Sequence, residues 1–260
     1  MIATLLAVAW GAPLQAVDIA AALTSFNAAA HAPVPLPDDG QLQALAGGEV
    51  VTMLSHEVGV DRWRAVGFVV SELPRERLWV ASQDPDAALE PRLREARLSQ
   101  QEEGRYIWYG LLDLPVPFSD RHWALEVWNN VALARESGGQ SWEHPWALRP
   151  ELLPLAREQI AAGTVAGLAA ADFDAAWPIP ANDGGWLTIG LPDGRTLLGH
   201  HSDTQLGGVF PDRLVGHFIV EGMEAMLREV LVRAAALDGH YVPGHPVIFG
   251  GDGQPVPFLD

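Results

Sequence analysis

The longest periodic segment of the chain, Pro211 to Leu237, constrains everything before it. Leu214, Phe218, Met223, Met226, Leu227, Val230 and Leu231 recur at helical spacing and share one broad apolar face. Gly239 ends the pattern. A helix of this length must bury that face against a large partner surface. The segments in front of it read mostly as strands, and a curved antiparallel sheet supplies one apolar face for the helix to cover. A sheet wrapped around such a helix can leave a cavity between the two.

The strands are read from runs rich in Val and aromatics. Glu49 to Glu57 and Trp63 to Ser71 form a pair, with Gly59 to Arg62 as the hairpin connection. Arg94 to Gln100, Gly104 to Asp113 and Arg121 to Asn130 follow. Gly185 to Leu191 and Arg195 to Asp203 flank the turn Pro192-Asp193-Gly194. Helices are expected over Asp38 to Leu45, Leu73 to Glu90, Pro150 to Ala162 and Thr164 to Ala176. Ala32 to Pro37 (APVPLP) is an extended Pro-rich linker, and residues 239–260 form an irregular Gly/Pro-rich tail. The fold class is α+β, a curved antiparallel sheet around a long C-terminal helix.

Charge and composition exclude several functions. The net charge is −17 and the sequence contains no Lys. Nucleic-acid binding and strong attraction to anionic membranes need clustered cations, so neither is expected. Schiff-base chemistry and a Walker-type phosphate loop need the missing amine. The chain has no Cys, which excludes disulfides, thiol catalysis and cysteine-ligated zinc. Residues 1–16 read as a signal peptide: the apolar run Ile2 to Trp10 has the length of a signal core, and Leu14-Gln15-Ala16 is an acceptable cleavage site. No Arg precedes Arg62 and the chain has no Lys, so the usual basic n-region is missing, and a buried N-terminal helix is the other reading. Export makes the expected location periplasmic or extracellular. Residues 17–37 are expected to hold an N-terminal helix and the linker.

Three stretches carry a family resemblance. Leu78-Trp79-Val80 with Asp84-Pro85 is similar to an early helix that precedes a sheet. Leu114-Pro115-Val116-Pro117-Phe118-Ser119-Asp120 leads into Arg121-His122-Trp123. Gly185-Trp186-Leu187 runs on to Leu206-Gly207-Gly208-Val209-Phe210-Pro211 and the final helix. Together these resemble the START-like, helix-grip (SRPBCC, Bet v 1-like) superfamily over Glu49 to Leu237. In that pattern an Arg-acid-aromatic triplet is usual, and here His122 replaces the acid. The resemblance implies a domain over residues 38–238 with a helical insertion at about 150–180. It also implies a lipid or other hydrophobic ligand in an internal cavity, with no cofactor. Cyclases and aromatases share the fold, so an enzyme of that type is the alternative.

Candidate ligand-binding residues follow from alternation and composition. Five of the ten Trp residues, Trp63, Trp108, Trp123, Trp128 and Trp186, fall in or beside strands. Indoles suit either a cavity wall or plain core. A period of two groups Trp123, Leu125 and Val127 on one face, opposite His122, Ala124, Glu126 and Trp128. Trp123, Leu125, Val127, Trp108 and Trp186 are therefore placed in the wall, with Met223 and Met226 on the helix side. Phe118 and Arg121 are placed at the entrance, Arg121 as a polar anchor or else in an ion pair that pins the loop. His122 and Glu126 share a face and could form an acid–base pair. His200 and His201 point to opposite faces, so with Asp203 they do not make a metal site, and no HExxH, GxSxG or dinucleotide loop is present. No metal is expected. The expected partner is a hydrophobic molecule, with transient membrane contact allowed and the oligomeric state open.

Overall fold

The computed structural model describes residues 13–57, 62–84, 92–100, 104–208 and 212–259. The chain opens with α1 (Ala16–Asn27) and α2 (Asp39–Ala46). The Asp38 carboxylate caps α2 by accepting from the Gln41 amide at 2.8 Å. Then come β1 (Val51–Glu57), β2 (Arg62–Ser71), α3 (Arg75–Gln83), β3 (Leu93–Gln100), β4 (Tyr106–Leu112) and β5 (Arg121–Val127). They are followed by α4 (Val131–Glu136), β6 (Ser141–Leu148), a 3-10 turn, α5 (Leu153–Ala161), α6 (Ala170–Ala175) and β7 (Trp177–Pro178). β8 (Ala181–Gly190), β9 (Thr196–Gln205) and α7 (Asp212–Ala235) complete the order.

The strands form one open sheet in the order β1-β2-β9-β8-β6-β5-β4-β3, antiparallel throughout this path. β6 meets only the end of β5, from Leu125 to Val127. The short β7 fills the rest of that edge, pairing in parallel with Arg121 and His122. The β8–β9 hairpin turns at Gly194, whose φ of +90° requires glycine. α7 crosses the concave face, with Met223, Leu227, Val230 and Ala234 buried against Ala65, Val69 and Leu198. Gly67 makes this approach possible: a Cβ there would sit 2.7 Å from both Met223 Cγ and Leu227 Cδ1.

Several sequence expectations are corrected. The sheet has two covered faces. On the convex side α1 and α2 bury Ile19, Leu23 and Phe26 against Phe68, Leu187 and Leu197. α5 and α6, where a helical insertion was expected, cover Ile107, Tyr109 and Leu111 of β4. That is why β9 is buried at every position from Thr196 to His201 rather than alternating. The helix expected over Thr164 to Ala176 is only α6, because Gly163 and Gly167 both adopt φ of +73°. The strand from Arg121 stops at Val127, and Asn130 caps α4 instead, accepting from the Leu133 amide at 3.2 Å. α4 and β6 were not expected at all. The helix expected over Leu73 to Glu90 is observed as α3, and residues 85–91 lie outside the described residues, as do the hairpin connection at 58–61 and the signal-peptide core.

Candidate functional site

Between the concave face and α7 lies a cavity of about 280 Å³. Alternation along β4 and β5 builds one wall. Trp123, Leu125 and Val127 face inward, across from Trp108 and Tyr106 in the neighbouring strand. The Trp123 indole lies flat over Gly110, its cross-strand partner, where a Cβ would come within 2.6 Å of Cε2. β8 and β9 supply Trp186 and His200, whose rings meet edge to face at 4.4 Å. Met223 and Met226 close the helix side, and Leu114, Pro115, Phe118 and Leu206 form one end. Eight of the nine expected site residues thus line the cavity, and Arg121 is the exception.

Arg121 is buried and serves the backbone. Its guanidinium donates to the carbonyls of Ser119 at 2.6 Å, Leu206 at 2.8 Å and Gly207 at 3.0 Å. It also lies 5.4 Å from the centre of the Trp177 ring. This clamp joins the β4–β5 loop to the segment before α7: Arg121 pins the loop, as its alternative reading had it, through backbone carbonyls, and is not the polar anchor at the entrance. On the opposite face of β5, His122 sits under α6, with its Nδ1 3.1 Å from the Tyr109 hydroxyl and its ring against Phe173. Glu126 is paired with Arg105 and Arg149 rather than with His122. Burial lowers the His122 pKa, whereas the two guanidinium bonds hold Glu126 below the usual carboxylate range.

Two polar groups of the lining, Tyr106 and His144, form a relay with Asn129, which is not itself in the lining. Asn129 Nδ2 donates to the carbonyls of Phe249 at 3.2 Å and Gly250 at 2.8 Å. Its Oδ1 must therefore accept, and it lies 2.5 Å from His144 Nδ1. His144 then carries its proton on Nδ1, and Nε2 accepts the Tyr106 hydroxyl at 2.6 Å. Burial pushes His144 down to about 3 and Tyr106 up to about 12, so both are neutral. His200 is likewise lowered to about 3 by burial, and its Nδ1 lies 3.2 Å from Met223 Sδ. His201 points to the convex face beside Gly185, as alternation requires. Asp84, Arg92 and Glu95 are the ionisable carboxylates and guanidinium in the lining among the described residues, and Glu95 accepts from Trp108 Nε1 at 2.8 Å.

Tyr106, His144, Trp146 and Asn182 were missed by sequence reasoning. Tyr106 was within reach, since it stands two residues before Trp108 on one strand. His144 and Trp146 lie on β6, which Glu143 and Pro145 disguise.

No family model matches the chain, and no curated protein matches it. Solved structures do. A STAR-related lipid transfer protein from Xanthomonas axonopodis aligns with a TM-score of 0.54 at 16% identity, over 72% of this chain and 93% of that one. Human StAR-related lipid transfer protein 5 gives 0.53 at 12% identity, over 73% and 83%. Human STARD10 gives 0.50 at 12% identity, over 80% and 85%. Identities this low speak to architecture alone. With an open, curved antiparallel sheet gripping a long C-terminal helix, the chain has the START-like helix-grip fold.

Proposed function

We propose that the chain holds a lipid or other hydrophobic small molecule in this cavity and carries it through an aqueous compartment. One observation bears most of the weight: a cavity of about 280 Å³ walled by Trp, Leu, Val and Met side chains. Apolar burial supplies the affinity at roughly 25 cal/mol per Å². A cavity of this size suits a compact apolar molecule or a single chain. The lining carries charge of both signs, Asp84 and Glu95 along with Arg92, while Arg121 is committed to backbone carbonyls. Exchange takes place at the end formed by Leu114, Pro115 and Phe118, where Val116 is 94% exposed and offers brief contact with an apolar surface. The net charge of −17 opposes docking on anionic lipid.

The test is native mass spectrometry of protein purified from its own host, with solvent extraction of what it carries. A one-to-one adduct of a neutral apolar molecule is expected. Protein that arrives empty and displaces no fluorescent fatty alcohol, fatty acid or sterol would overturn the reading. A cyclase or aromatase is the second reading, favoured by Tyr106 and His144 in the cavity wall, with Asn129 hydrogen-bonded to His144. General acid–base groups work best with a pKa near ambient pH, and burial moves both Tyr106 and His144 away from it. Recovery of the bound molecule chemically unchanged after incubation separates carrier from catalyst. Export rests on residues 1–16: cleavage after Ala16 leaves a mature protein starting at Val17 and removes buried Leu14. N-terminal sequencing that reads Met1 on the functional form would overturn it.

A further inference from the structure

We propose that Asp84, His240 and His245 form a binding site for a divalent first-row transition ion of the zinc type. The site shares Asp84 with the cavity lining, whereas His240 and His245 lie outside that lining, and zinc binding is tested without any cavity ligand. Asp84 is the residue that ends α3, and the two histidines lie in the tail after α7. One donor atom from each of the three lies within 4.8 Å of the other two. Asp84 Oδ2 is 2.7 Å from His240 Nε2, and Asp84 Oδ1 is 3.5 Å from His245 Nε2. Ligands at 2.0–2.1 Å around a tetrahedral ion stand about 3.3 Å apart, so the two contacts, made through different Asp84 oxygens, need only small side-chain adjustments to meet one ion.

The orientation of His245 favours a metal, and binding displaces the proton that His240 Nε2 donates to Asp84. His245 Nδ1 lies 2.8 Å from the Pro246 carbonyl and donates to it. That bond leaves the Nε2 lone pair directed at Asp84, the same carbonyl support that orients metal-bound imidazoles. The tail is preorganised. The Tyr241 hydroxyl donates to the Val256 carbonyl at 3.0 Å and accepts the Ile248 amide at 3.1 Å. The His245 amide closes a turn onto the Val242 carbonyl at 3.0 Å. The side chains of Asp84 and His245 are buried, whereas that of His240 is 48% exposed, so it has room to shift as an ion enters. The C-terminal end of α3 adds partial negative charge to the same spot. Two imidazoles and one carboxylate suit zinc and its neighbours and do not suit Mg²⁺ or Ca²⁺, which take oxygen ligands. Three protein ligands leave a fourth position for water.

The experiment is calorimetric titration of untagged, chelator-treated full-length protein with Zn²⁺, beside thermal melts with Zn²⁺, Mg²⁺ and Ca²⁺. One Zn²⁺ per chain is expected, with a melting temperature that rises with Zn²⁺ alone and returns on adding EDTA. His240→Ala, at a half-exposed position, keeps the fold and weakens binding more than about 100-fold, as does His245→Gln. Absence of one-to-one binding in the wild type, or equal affinity in wild type and His240→Ala, would overturn the proposal.

Discussion

Leu125→Trp tests whether the β5 face meets the ligand. Leu125 lies midway along that face, between Trp123 and Val127. An indole exceeds the isobutyl group by ~60 Å³, two water volumes, which is a fifth of the 280 Å³ cavity. Filling empty apolar space recovers about 1.4 kcal/mol at 24 cal/mol per Å³. Overpacking of the neighbours costs about 1–3 kcal/mol. The two nearly cancel, so the melting temperature should move by only a few degrees. Affinity is not protected in this way. A ligand displaced from roughly 50 Å² of wall loses about 1.3 kcal/mol, close to tenfold in Kd. The assay is displacement of a fluorescent apolar probe from wild type and variant, with melts of both in the same buffer. Unchanged Kd in a folded variant would refute the assignment of this face. Loss of folding would refute the statement that the cavity has room here.

The remaining predictions concern stability. Arg121→Gln breaks the guanidinium bonds to Ser119, Leu206 and Gly207 and should cost about 3 kcal/mol in urea titrations. It should leave the preference between a fatty acid and the matching alcohol unchanged, and a shift toward the alcohol would instead make Arg121 a ligand anchor. Gly67→Ala forces Met223 and Leu227 off β2 and should destabilise by about 1–3 kcal/mol, and no change in the urea midpoint would mean that α7 is not seated on that glycine. His144, His200 and His201 are lowered to about 3 in the folded chain, against about 6.5 unfolded. The unfolded state therefore binds more protons between pH 3 and 6.5, so stability is complete above pH 6.5 and falls as pH drops. Each histidine contributes more than about 1 kcal/mol per pH unit in that window. Glu143, raised by burial, works in the opposite sense. Urea midpoints that stay flat from pH 7 to pH 4 would contradict the buried neutral histidines.

Some of this was legible along the chain because its cause is local. Period-two runs of apolar residues specify strands, so β1, β2, β3, β4 and β9 were found within about two residues of their observed bounds, whereas β8 begins four residues before its expected start. Helical spacing over two dozen residues specified α7 and the face it buries. The same alternation put Trp123, Leu125 and Val127 together before any strand was paired.

What escaped depends on partners far away in sequence. β6 carries Glu143 and Pro145, which argue against an interior strand. Glu143 is nonetheless fully buried, because the amides of His31 and Ala32, 112 and 111 residues away, donate to its carboxylate. No local pattern encodes that pairing. Arg121 was open to two readings along the chain, ligand anchor or loop-pinning ion pair, and the carbonyls of Leu206 and Gly207, 85 and 86 residues on, make it a loop clamp through backbone bonds. His144 became a neutral hydrogen-bond acceptor through Asn129 and the tail carbonyls, and Asp84 met His240 across 156 residues. Periodicity records which face a residue turns to the core, whereas hydrogen-bond partners, protonation and ligand sets arise only when distant segments are packed together.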